Sequence, residues 1–176
     1  PEVQRALSAP ARAIEGDEAR QLEQAWAAGA DPRLRAAVLD TPLASRLRPV
    51  ALVRPSLKQL QVVDATGRVV ASSGPGGRLF HGETGWFKDL SAQEGDPEIH
   101  IGELYRPRGS TLTLFEIAYP VRSPEDVWIG AIRAVVDGAD LYTVLAPVRI
   151  GRTGHASLLR STDGLVLASD ESERIL

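Results

Sequence analysis

Cysteine is absent from this sequence, which removes disulfides, thiolate metal sites and cysteine nucleophiles and is compatible with either redox compartment. Long apolar runs are missing as well. Nothing nears the roughly 20 residues a bilayer crossing needs, and no signal-peptide pattern opens the chain, so it reads as a water-soluble region. Its start at Pro1 and its end at Leu176, shortly after a hairpin pattern, read as those of a piece cut from a longer protein. An excess of basic charge is lacking: 20 Lys and Arg stand against 23 Asp and Glu, a net charge of −3, which gives no reason to expect nucleic acid. Signatures of catalysis are missing too, with no nucleophile elbow, phosphate loop or paired-carboxylate motif. His81, His100 and His155 have no metal-ligand spacing and are expected on the surface or locally satisfied. The resulting expectation is a non-enzymatic protein without cofactor or metal.

What is present is an ordinary core: 176 residues, 43% hydrophobic, enough for one domain of common size. The first 56 residues carry helical spacing. Asp17 precedes a segment with Leu22 and Trp26 on one face, and Asp31-Pro32 and Thr41-Pro42 place a capping residue before a proline at the first helical position. From Leu57 the period becomes that of strands. The pattern predicts β-runs at Leu57–Val63, Arg68–Ser72, His100–Tyr105, Thr111–Val121 and Val127–Val136. It also predicts a short helix around Gly85–Gln93 with Thr84 as its cap, and a closing helix over Ala139–Leu145. The last two strands are apolar on both faces except at Glu116 and Arg133, which predicts a sheet covered on both sides. Glu116 alternates out of phase with Phe115 and Ile117 and is expected to face the helical layer.

One stretch occurs twice. LQVVDATGRVVASS at 60–73 is echoed by SLLRSTDGLVLASD at 157–170. Gly67, Val69, Ala71 and Ser72 recur 97 positions later as Gly164, Val166, Ala168 and Ser169. Fixed-period self-similarity of this kind marks repeated structural units.

The order hairpin, short helix, three-strand meander is that of a PAS-like module. The blocks Val62–Ser73, Gly85-Trp86-Phe87-Lys88, Ile117-Ala118-Tyr119-Pro120-Val121 and Trp128-Ile129-Gly130-Ala131-Ile132, in that order, resemble the double Cache sensor family. Gly151–Ala156 and the Asp163-Gly164 hairpin are similar to the opening of its second, membrane-proximal module. The resemblance covers residues 57–170. It implies an α+β fold: a PAS-like five-stranded antiparallel sheet in spatial order 2-1-5-4-3, covered on its outer face by the amino-terminal helices. By the same resemblance residues 1–56 form the helical layer, 57–150 the Cache module and 151–176 the beginning of a second. It further implies the ligand-sensing region of a bacterial chemoreceptor, histidine kinase or diguanylate cyclase, outside the cytoplasmic membrane, flanked by transmembrane helices beyond this chain and dimerising through the amino-terminal helices. A PAS-like dimerisation module with a filled, vestigial pocket is the alternative.

The same resemblance places Trp86, Phe87 and Tyr105 on a ligand pocket. Core packing for the two aromatics of the short helix, and a wet hydroxyl at the end of β3 for Tyr105, stand beside that reading. Phe115 adds an apolar wall. Where the amino-acid-binding members have an arginine and two carboxylates, this chain has Thr84, Pro107 and Val135, which argues against an α-amino acid, because a buried ammonium without a partner is costly. Arg133 lies two positions from Val135 and therefore on its face. It is either a guanidinium offered to a ligand carboxylate or one half of an internal ion pair with Glu116 or Asp137. The ligand expected on these grounds is a small organic anion.

Overall fold

The computed structural model describes residues 2–8, 14, 16–93, 99–139, 157–159 and 166–169. Four helices come first: α1 (Glu2–Leu7), α2 (Gly16–Ala28), α3 (Pro32–Leu39) and α4 (Pro42–Leu52). Their starts follow local chemistry. The Asp31 carboxylate accepts from the amides of Arg33 and Leu34 at 2.9 and 3.1 Å, and the Thr41 hydroxyl accepts from the Ala44 amide at 3.0 Å. Each cap satisfies donors a helix start leaves open, and the proline that follows loses no bond. Asp17 falls inside the first turn of α2, where its charge complements the helix dipole.

The strands are β1 (Leu57–Asp64), β2 (Val69–Ser72), β3 (His100–Ile101), β4 (Leu114–Arg122) and β5 (Trp128–Asp137), with α5 (Gly85–Ser91) between β2 and β3. They form one antiparallel sheet in the order β2-β1-β5-β4-β3, the order the sequence resemblance implies. Two glycines are required by the backbone. Gly67, at φ 87°, turns the β1–β2 hairpin so tightly against the next loop that a Cβ would lie 2.2 Å from the Gly82 nitrogen. Gly130, at φ 144°, lets β5 approach β1 so closely that a Cβ would lie 2.1 Å from the Val63 carbonyl oxygen. Strand β3 is shorter than its apolar run. Gly102 weakens the strand there, and beyond its bond to the Glu116 carbonyl the chain meets β4 again only at Tyr105 and Leu114.

Both faces of the sheet are covered, and by helices from the same amino-terminal region. Leu7 of α1 and Ala44 of α4 pack with Val62, Ala71 and Val121. Trp26 of α2 and Leu34 and Val38 of α3 pack instead with Val63, Ala118, Ala131 and the α5 residues Trp86, Phe87 and Leu90. Val62 and Val63 point to opposite faces of β1, so the helices do not form one outer layer as expected but split around the strand edge. Each fully buried side chain of this size contributes about 1.5–3 kcal/mol.

Backbone contacts divide the chain into two compact units, Pro1–Gly102 with Glu116–Val136, and Glu103–Phe115 with Asp137–Leu176. In the second, Tyr105 and Leu114 exchange amide bonds of 2.8 Å, and the Gly138 amide donates to the Thr113 carbonyl at 2.7 Å. Strands β6 (Ser157–Leu159) and β7 (Val166–Ser169) pair as an antiparallel two-stranded sheet. The closing helix expected at 139–145 falls outside the described residues beyond Ala139, and the Gly151–Ala156 block lies wholly outside them. No described helix is long and apolar enough to cross a membrane.

Candidate functional site

A polar row crosses the otherwise apolar sheet face beneath α5. Gln59, Gln61 and Val63 share a face of β1 by strand alternation. Opposite Gln61 in register stands Arg133 of β5, and opposite Gln59 stands Val135. From β4 the Glu116 carboxylate grips the guanidinium with both oxygens: Nη2 to Oε1 at 2.6 Å and Nε to Oε2 at 2.9 Å. Arg133 Nη1 donates to Gln61 Oε1 at 2.8 Å. This forked arrangement is the strongest geometry available to the pair. Burial alone would raise the Glu116 carboxyl, but the Arg133 hydrogen bonds and charge overcome it and hold the carboxyl below its usual range.

The row is roofed by aromatic rings. Trp86 and Phe87 meet edge-on at 5.6 Å between centroids, Phe87 meets Trp128 likewise at 5.6 Å, and Trp86 leans on His81 at 5.2 Å, separations at which aromatic pairs attract. His81 is 1% exposed, and neither ring nitrogen has a hydrogen-bond partner. Burial first, and then the Arg133 charge, push its pKa down to about 3; Glu116 opposes this and Arg78 adds to it, while the Arg78 carbonyl favours the charged form only slightly. The imidazole is therefore neutral near pH 7.

The loop carrying His81 is held from both sides. Gln59 Nε2 reaches the Gly76 and Gly74 carbonyls at 2.9 and 3.3 Å, and the His81 amide donates to the Gly67 carbonyl. From α2, the Glu23 carboxylate accepts from the amides of Leu79 and Phe80 at 3.0 Å each, and Trp26 Nε1 donates to the Gly77 carbonyl at 3.1 Å. Beside this loop a cleft of about 820 Å³ opens, lined by Arg20, Glu23, Arg78, Phe80, Glu83 and Phe87 among others.

Of the residues singled out in the sequence, Trp86, Phe87, Arg133 and Val135 fall in the unit that carries this row, and all four are buried. Tyr105, 38% exposed, and Phe115 fall in the other unit. Phe115 also points away from the face of Glu116, its neighbour on β4. Three expectations are corrected. Glu116 faces Arg133, because the phase of β4 that carries Ala118 into the α5 core carries Glu116 with it. His81 is neither on the surface nor satisfied, because docking of its loop encloses it. Thr84 stands at the N-cap position of α5, as expected, but its hydroxyl caps no amide; it donates to the His81 carbonyl at 2.6 Å. Gln61 was not singled out at all. Its signal was the glutamine pair 59 and 61 at strand spacing inside an apolar run.

No family model and no curated protein matches the chain. Solved structures do. The extracellular domain of the putative histidine kinase rpHK1S-Z16 is 24% identical with a TM-score of 0.60, over 88% of this chain and 68% of that one. The ligand-binding domain of the Pseudomonas aeruginosa amino-acid chemoreceptor PctC, in complex with GABA, is 18% identical with a TM-score of 0.52, over 89% and 67%. That of the Campylobacter jejuni chemoreceptor Tlp3, with 4-methylisoleucine, is 12% identical with a TM-score of 0.57, over 88% and 60%. The chain thus spans about two thirds of such domains and has the Cache-like fold of these extracellular sensor domains.

Proposed function

We propose that this chain is the extracytoplasmic small-molecule-sensing region of a bacterial transmembrane receptor, and that its ligand is a small organic anion held on the Arg133 face beneath Trp86. The observation that carries the reading is a buried arginine, Arg133, 6% exposed, on the sheet of a Cache-like fold. The ligands in the PctC and Tlp3 structures, GABA and 4-methylisoleucine, each carry a carboxylate, the chemistry a guanidinium fork recognises. Thr84 and Val135, in the unit that carries Arg133, supply no charge for an ammonium, which favours an acid over an amino acid. On this reading the chain sits at the outer face of the cytoplasmic membrane, residues 57–150 form the sensing module with helices from 1–56 covering both faces of its sheet, and 151–176 open a second module. Leu52 and Val53, 76% and 75% exposed at the end of α4, support pairing of two copies through the amino-terminal helices, which sedimentation measures.

A second reading, a PAS-like dimerisation module with a filled pocket, is favoured by one fact: Glu116 and Gln61 already occupy the Arg133 fork. Thermal shift and calorimetry against carboxylates, amino acids and amines separate the two. Removing Arg133 alone would leave Glu116 buried without its partner, so the comparison is the neutral double variant Arg133→Gln/Glu116→Gln. The expected result is that a carboxylate stabilises the parent, since a ligand of the native state alone must do so, and binds the double variant about ten- to a hundredfold more weakly, the worth of one charge-assisted contact. Stabilisation by nothing in the panel favours the filled module. Turnover of any panel compound would end the sensor reading.

A further inference from the structure

The Arg133–Glu116 pair is lopsided. The Arg133 side chain is 7% exposed and the Glu116 side chain 22%, so the carboxylate has a path to water that the guanidinium lacks. Gln61 fixes Nη1 from the other side and would keep the guanidinium in place if Glu116 left. Beside the pair stands His81, enclosed and without a hydrogen-bond partner on either nitrogen, an arrangement that costs stability because buried polar groups are left unsatisfied.

We propose that Glu116 is an exchangeable counter-ion, displaced from the Arg133 fork by the carboxylate of the ligand, and that His81 takes up a proton to balance the carboxylate so released. The inference rests on the anion reading of this site. One carboxylate replaces another on the guanidinium, and an N–H bond forms on the imidazole as the buffer acid, through solvent, gives up its proton and becomes its conjugate base. Charge balance is the physical reason. The empty site holds Arg133 positive, Glu116 negative and His81 neutral. Adding an anion would leave one uncompensated negative charge in a closed space, and a proton on His81 removes it. The charges acting on His81 are Arg133 from β5, Glu116 from β4 and Arg78 from its own loop, with His100 of β3 acting on Glu116. Without ligand, burial first and then the two arginines keep the imidazole neutral; with ligand bound, two carboxylates face them.

Acetate is the smallest probe of this exchange. Calorimetric titration of the parent at pH 6, in two buffers of unlike ionisation heat, should show about one proton taken up per acetate bound, and affinity should rise about tenfold per pH unit from pH 7 to 5. Glu116→Gln should bind acetate about tenfold more tightly and without proton uptake, because the internal competitor has lost its charge. His81→Asn should bind with no pH dependence across that range. Acetate binding to the parent without proton uptake leaves the anion reading standing and overturns the exchange, as does weaker binding by a folded Glu116→Gln. Failure of acetate to bind while an amine or other cation of the panel stabilises the protein overturns both the exchange and the anion. Since the parent alone decides the proton count, neither variant has to fold for the proposal to fail.

Discussion

The hairpins β1–β2 and β6–β7 are built to one pattern and meet different fates. Pairing in the first runs Gln61 to Ser72, Val62 to Ala71 and Val63 to Val69, with a bulge after Val62. In the second it runs Ser157 to Ser169, Leu158 to Ala168 and Leu159 to Val166, with a bulge after Leu158. The returning strands are offset by 97 residues (169 less 72) and the outgoing strands by 96 (157 less 61), so the second turn is one residue longer. Local sequence reproduces register and bulge. It does not reproduce burial: Val63 is 0% exposed and the matching Leu159 52%. What differs is the company. Strand β1 has β5 as a second neighbour and helices on both faces, whereas β6 and β7 pair only with each other among the described residues. A pleated pair alone is marginal in water, so the stability of the first hairpin resides in what encloses it.

The most forceful way to break the comparison is to remove β5 from β1. Gly130→Val puts a branched side chain where even a Cβ would lie 2.1 Å from the Val63 carbonyl, at φ 144°. A clash with backbone and a forbidden conformation together should cost about 5 kcal/mol or more. Hydrogen exchange of the β1 amides should accelerate toward that of the β6 amides. Unchanged β1 protection would mean that the β1–β5 seam is not what separates the two hairpins.

Acid should loosen the same enclosure by a different route. His81 belongs to the cover of the first hairpin, since its amide donates to the Gly67 carbonyl in the turn. Its folded pKa, about 3, lies below the ordinary 6.5, so below pH 6.5 the unfolded chain binds the proton and the folded protein does not. Stability is then unaffected above pH 6.5 and falls as pH drops, by about 1.4 kcal/mol per unit, or roughly 3 kcal/mol by pH 4.5. Glu116 adds to this only below its own unfolded value of 4.5, because its depressed carboxyl loses its stabilising charge there. Urea midpoints across pH 4.5–7 measure the slope, and His81→Asn should flatten it. Equal slopes in parent and variant would assign the acid sensitivity elsewhere.

How much of this the sequence disclosed depends on the range of the interaction. Asp31-Pro32, Thr41-Pro42 and the Gly67 turn act within a few residues, and they place helices and hairpin correctly. The strand order came from the family resemblance that the succession of blocks carries, not from any local signal. Arg133 and Glu116 were visible as the charged interruptions of two apolar strands, and an ion pair between them was one of the alternatives, as the structure has it; the face assigned to Glu116 was the part that went wrong. Strand β4 is apolar on both sides, so alternation fixes which residues share a face without saying which face meets the α5 core. His81 was illegible for a further reason. Its burial is decided by Glu23 on α2, Gln59 on β1 and Gly67 in the turn, groups between about 14 and 58 positions away that hold its loop down.

The finest cut compares the two matching apolar positions directly. Val63→Ala removes two methyl groups from a fully enclosed site packed against Val69, Ala131 and the aromatic cover, where neighbours relax only partly into the space. It should cost about 2 kcal/mol. Leu159→Ala, which deletes more atoms but from a side chain half in water, should cost less than about 0.5 kcal/mol. Both follow from one denaturant titration each, with the midpoint as readout and an unchanged slope as the sign that the unfolded state is the same. The ordering matters more than either value. If hairpin pairing itself carried the stability, the larger truncation would be the costlier one and Leu159→Ala would exceed Val63→Ala. The reverse ordering follows only if enclosure by β5, α2, α3 and α5 sets the cost, and the same enclosure keeps Arg133 dry enough for a single carboxylate to matter.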